Sequence, residues 1–249
     1  AQFALCKESP ACKTQMGDPR AELQAVLARL RANPVPVTYR DSSTGEERTE
    51  TMTADHVAGL VRMYAYMPAV GALLPQLIRE ASQGRYSNLM ALAKMMQGDM
   101  AESMSMGMQM SVICTEDGGS MVARAEDAET VLGNRMVEAM AAMCEVWPKG
   151  DKPADFNTPL KGDLPVLVLT GEFDPVTPPK YGEGIASKAL PNARWLDLKG
   201  QGHNVIGAGC MPKLFAQFIE QADAKALDAK CLDKLAYVPP FTSNNGWEP

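Results

Sequence analysis

Leu23, Val26, Leu27 and Leu30 recur at helical spacing, and Pro19 suits the first turn of the helix they predict. Asn33-Pro34-Val35-Pro36-Val37 breaks that pattern and runs into an extended piece. A polar surface hairpin or loop follows over Asp41 to Glu50. Thr53 is placed to cap a helix through Val57, Leu60, Val61 and Tyr64, which Pro68 stops. Two more helices are expected, from Val70 to Ser82 and from Asn88 to Met110. Residues 1–110 thus read as mostly helical, with no convincing buried strand.

The pattern changes after Met110. Ser111-Val112-Ile113-Cys114 is short, apolar and β-branched, as a buried strand would be, and it ends in Thr115-Glu116-Asp117-Gly118-Gly119. A long helix is predicted from Glu126 to Trp147, then a connector rich in Pro and Asp from Pro148 to Pro159. Leu164 to Leu169 is a continuous apolar run, the signature of a parallel strand covered on both faces. It opens into Thr170-Gly171-Glu172-Phe173-Asp174-Pro175. A helix between Pro179 and Ala189 comes next, then a strand from Arg194 to Leu198, the turn Gly200-Gln201-Gly202-His203, and a last helix from Pro212 to Gln221. Strand, helix, strand, helix predicts α/β architecture for the C-terminal part of the chain.

With 249 residues, 46% hydrophobic and 22% charged, the composition is that of a globular protein of one large or two small domains. A net charge of −6 and a pI near 5.1 argue against a nucleic-acid partner, which needs clustered Lys and Arg. No apolar run approaches the roughly 18 residues of a membrane helix. The six cysteines allow three disulfides in any of fifteen connectivities, and disulfides would imply an oxidising compartment. A reduced cytosolic protein is the alternative. Zinc is disfavoured because no C-x2-C pair occurs and only two histidines are present, so no metal or cofactor is expected. Met90, Met95, Met96, Met100, Met104, Met106, Met108 and Met110 crowd one predicted helix and its exit. Such a stripe either packs into a core or lines an adaptable apolar pocket. Ala1-Gln2-Phe3-Ala4-Leu5-Cys6 carries neither an initiator Met nor a signal-peptide pattern, so the chain is expected to begin partway through a larger protein.

Asp174 and His203 each fall just past the C-terminal end of a predicted parallel strand, where open α/β sheets carry function. One crossover joins the two strands, so the two side chains should lie close together. A carboxylate there can fix the imidazole tautomer and leave the other ring nitrogen free as a general base. The competing expectation is a turn-capping Asp and an unconnected loop His. His56, inside a predicted helix, reads as structural or solvent-facing.

Pro165-Val166-Leu167-Val168-Leu169-Thr170-Gly171-Glu172-Phe173-Asp174-Pro175-Val176-Thr177-Pro178 resembles the acid-bearing strand and loop of an α/β-hydrolase, and Gly200-Gln201-Gly202-His203-Asn204-Val205 resembles its histidine loop. The positions of Cys6, Cys12, Cys114, Cys144 with Trp147-Pro148, Cys210 and Cys231 are similar to the tripeptidyl aminopeptidase-like branch of the proline iminopeptidase family. The resemblance implies the C-terminal part of an α/β-hydrolase sheet with a helical lid. Residues 1–110 would be the lid, and 111–249 the part of the core carrying the acid and histidine loops. It also implies the disulfides Cys6–Cys12, Cys114–Cys144 and Cys210–Cys231, and export to the periplasm, cell envelope or exterior.

The implied activity is that of a serine hydrolase, an exopeptidase acting on peptides with a free N-terminus. Asp174 and His203 would be its acid and base, with Glu116 and Asp117 holding the substrate amine. The alternatives are an esterase or lipase on the same fold and a non-catalytic binding module. The sequence departs from the family in one respect: it contains no Gly-x-Ser-x-Gly elbow. The nearest substitute, Gly118-Gly119-Ser120-Met121-Val122, puts a β-branched Val where the second glycine belongs. The nucleophile is therefore expected on the N-terminal half of the same precursor, present as a separate polypeptide partner, and this chain alone should be catalytically silent.

Overall fold

The computed structural model describes residues 2–103, 105–188, 190–243 and 245–247, with side chains outside 99–103 and 185–188. Two compact units emerge, one of Ala1–Glu22, Val61–Glu80 and Pro159–Pro249, the other of Leu23–Leu60 and Ala81–Thr158.

The first unit opens with α1 (Gln2–Glu8) and α2 (Pro10–Met16), joined by a Cys6–Cys12 disulfide, and both cysteines are buried with Met16. Ser9 caps α2 by accepting the Cys12 N–H, with Pro10 at the first helical position. Helix α3 (Pro19–Ala32) follows and continues into the second unit, where Leu23, Val26, Leu27 and Leu30 are all buried, as their spacing requires.

In the second unit β1 (Val35–Arg40) and β2 (Glu47–Met52) form an antiparallel hairpin, with Val35 opposite Met52 and Arg40 opposite Glu47. Val37, Tyr39 and Met52 are buried, so residues 1–110 do contain a strand with an inward face. The Tyr39 hydroxyl donates to Glu50 at 2.6 Å, and Lys94 pairs with the same carboxylate. That hydrogen bond, with burial, pushes the phenol up to about 12. Lys94 and Tyr39 hold Glu50 below the usual carboxylate range. At the start of helix α4 (Ala54–Ala65) the His56 side chain reaches back, its Nδ1 accepting the Thr53 N–H at 3.2 Å. His56 is thus structural, and burial lowers its pKa.

Short α5 (Pro68–Gly71) and α6 (Leu74–Ser82) replace the single helix expected from Val70 to Ser82. The Met-rich stretch is likewise two helices, α7 (Ser87–Ser103) and α8 (Met106–Glu116). Met90 and Met110 are buried, whereas Met106 and Met108 are exposed, so the stripe has no single fate. The Met100 side chain and residue Met104 lie outside the described residues.

The strand expected at Ser111–Cys114 is wrong, because these residues form the last turns of α8. Met110 and Cys114 lie four apart and bury against Cys144 of α9 (Arg135–Val146), with Ile113 alongside, while Val112 faces out. A four-residue apolar run does not distinguish the two structures, and here the helical partner won. The helix expected from Glu126 is shorter too: Gly133 at φ +58° breaks the chain before α9 begins. The Cys114–Cys144 disulfide joins α8 to α9, and Trp147 Nε1 donates to Ser111 Oγ across the same pair. This bridge closes a separation of 30 residues. Its removal in a Cys114→Ala/Cys144→Ala protein should cost about 3–4 kcal/mol by loop-closure entropy, read from the urea midpoint.

The rest of the first unit runs β3 (Val166–Gly171), α10 (Pro179–Lys188), β4 (Ala193–Leu198) and α11 (Met211–Gln221). Strands β3 and β4 are parallel, with Val166 opposite Ala193 and Gly171 opposite Leu198. Among the described residues the strands form only these two pairs, so the α/β part is a two-stranded sheet with its helices rather than a large one. Leu198, Val205, Met211, Leu214 and Leu227 make its core, with Leu167, Leu169, Leu196 and Phe218 packed against them. Helix α10 approaches closely, since a Cβ on Gly182 would stand 2.6 Å from Thr170 Cγ2. A Cys210–Cys231 disulfide ties the start of α11 to the turn at Lys230–Lys234.

Candidate active site

The parallel register sets the site. Gly171 ends β3 level with Leu198, which ends β4, so the two following loops leave the sheet side by side. They are laced together: Glu172 N–H donates to Leu198 O at 3.2 Å, and Phe173 N–H to Gln201 O at 2.8 Å. The approach is so close that a Cβ on Gly171 would lie 2.0 Å from Gly202 O. Only glycine fits there.

Asp174 turns the chain directly after this lacing. Its Oδ1 accepts the Val176 N–H at 2.7 Å and the Thr177 N–H at 2.9 Å, the pattern of an Asx turn. Its Oδ2 accepts the Thr177 hydroxyl at 2.8 Å. His203 Nδ1 stands 3.0 Å from Oδ2 and 3.2 Å from Oδ1. The turn-capping and histidine-facing roles of Asp174, alternatives from sequence, therefore coexist. The carboxylate is an obligate acceptor when ionised, so in the neutral imidazole Nδ1 carries the proton and Nε2 keeps its lone pair. Among the described residues no partner takes Nε2. The Asp174 side chain is 3% exposed and that of His203 39% exposed, so the anion is shielded while the imidazole stays reachable.

Burial pushes the Asp174 carboxyl up, but the Thr177 N–H, His203, the Val176 N–H and the Thr177 hydroxyl together hold it below the usual carboxylate range. A depressed folded pKa gives stability that is present above the unfolded value, roughly 3.9, and lost as pH falls through the folded one. Urea midpoints should accordingly show the wild-type advantage over Asp174→Asn shrinking below about pH 4. An advantage that stayed constant to the acid limit would contradict this assignment.

Two contacts of the histidine loop, both made by Tyr66, were not legible in sequence. The His203 N–H donates to Tyr66 O at 2.9 Å, and the Tyr66 ring meets the imidazole edge-on, 5.2 Å between centroids at 77°. Tyr66 sits in the turn between α4 and α5, inside the region read as lid. A Cβ on Gly202 would come within 2.0 Å of its carbonyl oxygen.

Glu116 and Asp117 end α8 rather than a strand, and they belong to the second unit. Lys152 Nζ donates to Glu116 O at 2.7 Å. Ser120, in a 3₁₀ turn, donates its hydroxyl to Asp117 O at 2.8 Å and also belongs to the second unit.

A carboxylate–imidazole pair at adjacent strand ends has the geometry in which an acid can orient a general base. Residues 129–231, which include both side chains, match the model of an α/β-hydrolase family described as TAP-like protein. The match covers less than half of the chain, and it supports an α/β-hydrolase family and a hydrolase. No curated protein matches the chain. Among the described residues no helix is long and apolar enough to cross a membrane.

Proposed function

We propose that Asp174 and His203 are the acid and base of a serine hydrolase. The observation that carries this is the Nδ1 contact at 3.0 Å to a buried carboxylate, with no partner on Nε2 among the described residues. In this reading Nε2 removes the proton of a serine hydroxyl as that oxygen attacks a carbonyl, then delivers it to the departing amine or alcohol. Asp174 holds the ring and stabilises the imidazolium that forms between the two transfers. The sequence holds no Gly-x-Ser-x-Gly, and the Ser120 hydroxyl is bonded elsewhere, so the nucleophile is assigned to the N-terminal half of the same precursor, a separate polypeptide.

The substrate class is peptides entered from a free N-terminus. Glu116 and Asp117 are the carboxylates proposed to hold the amine; among the described residues neither side chain is in an ion pair. Residues 1–110 are the helical lid of this reading, and 111–249 are the part of the core that carries the acid and histidine loops. Three disulfides support export to an oxidising compartment.

The test is complementation. Mixing this chain with the elbow-bearing segment should restore hydrolysis of a generic ester, and His203→Ala should abolish it. Activity that survives His203→Ala would overturn the assignment. Loss of the preference for a free amine in Glu116→Gln/Asp117→Asn supports the peptidase reading. Indifference to the amine in the unmodified protein would instead make the enzyme an esterase. A mixture that never hydrolyses anything leaves a binding module.

A further inference from the structure

Glu172, Phe173 and Asp174 each bond the histidine loop. The middle rung is main-chain, Phe173 N–H to Gln201 O, and the last is Asp174 with His203. The first is a side chain, with Glu172 Oε2 accepting the Gly200 N–H at 2.8 Å. Its other oxygen, Oε1, accepts the Tyr237 hydroxyl at 3.0 Å. From these rungs we infer that Glu172 is a positioning residue that sets where the histidine loop leaves β4, and hence whether His203 meets Asp174. The inference rests on the reading of Asp174 and His203 as acid and base.

The surroundings show why a carboxylate is needed. Gly200 turns the chain at φ +68°, and a Cβ there would lie 2.9 Å from Tyr237 Cδ1, so the phenol ring rests on the Gly200 backbone. The ring stacks on Phe173 at 5.4 Å, and the Lys199 ammonium lies 4.8 Å from its centroid. Two donors from different segments thus converge on Glu172, and an anion with two acceptor oxygens answers both at once. Tyr237 is brought there by the stretch after Cys231, which the disulfide to Cys210 anchors. The Glu172 hydrogen bond raises the Tyr237 phenol pKa, which provides a second readout.

The experiment uses the whole chain with ¹⁵N-labelled histidine. The sequence has only two histidines, and His56→Gln assigns their signals. At alkaline pH the ring-nitrogen shifts of neutral His203 should report a single tautomer with the proton on Nδ1. Glu172→Ala should replace that pattern with the averaged shifts of a free imidazole. Glu172→Gln keeps one acceptor oxygen for the Gly200 N–H, so it should restore the single tautomer while the Tyr237 phenol ionises at lower pH, followed by its ultraviolet absorbance.

A folded Glu172→Ala protein that keeps the single tautomer overturns the inference. Should Glu172→Ala not fold, an unchanged Tyr237 titration in Glu172→Gln overturns it instead. Asp174→Asn separates the two readings. If it too leaves the tautomer unchanged, the acid–base pairing itself fails. If it alone alters the tautomer, only the role of Glu172 fails.

Discussion

Asp174→Asn should lower turnover in the complemented protein by about 10⁴-fold while the chain stays folded, because the substitution reverses one hydrogen bond. Four donors converge on the two carboxylate oxygens: the Val176 N–H, the Thr177 N–H, the Thr177 hydroxyl and His203. An Asn in this place has one carbonyl oxygen and one NH2 group. The two backbone N–H groups on the Oδ1 side reject an NH2, so the amide oxygen must take that side. Its NH2 then faces the Thr177 hydroxyl, which can turn to accept, and His203 Nδ1. The imidazole can satisfy an NH2 only by presenting a bare Nδ1, which moves its proton to Nε2. The nitrogen proposed to act as base is then occupied. Steady-state hydrolysis of an activated ester measures the loss. A drop of less than about tenfold would mean that His203 does not depend on Asp174 for its tautomer.

How much of this was legible in the sequence followed from the range of the interactions. The stretch from Val166 to Leu198 was readable because the first strand opens as a continuous apolar run and the intervening helix is bounded by Pro179. Asp174 and His203 were readable because a parallel pair with one crossover places its loops side by side. The stretch Ser111–Cys114 misled because four apolar residues fit a strand or a buried helical turn equally well, and the partner that decides, Cys144, is 30 residues away. Tyr66 and Tyr237 were invisible for the same reason. Tyr66 is 137 positions from the loop it supports, acts partly through its main-chain carbonyl, and has no local pattern to mark it. Glu172 lay within the motif that was read, yet its role depends on Tyr237, 65 positions on.

Gly202→Ala should be among the most damaging single substitutions in the first unit, though it adds one methyl group. The added Cβ would stand 2.0 Å from Tyr66 O, 2.7 Å from Tyr66 C and 3.1 Å from Pro68 Cδ. Two of these are backbone atoms, so no side chain can rotate out of the way. Pro68 opens α5 with its φ fixed, which stops the Tyr66–Pro68 segment from yielding cheaply. Either the histidine loop or the turn must withdraw, and the His203 N–H then loses the Tyr66 carbonyl as well. Overpacking of this kind costs about 3 kcal/mol or more, a fall of roughly 6–12 °C in Tm for a chain of this size. Gly171→Ala carries the same penalty from the other side, because its Cβ would meet Gly202 O at 2.0 Å. The pair also separates stability from positioning. Below their lowered Tm, both variants should still bind substrate but turn it over slowly, since the displaced loop carries the base. Thermal melts within about 2 °C of wild type for both variants would show that the two loops and the Tyr66 turn do not pack as described.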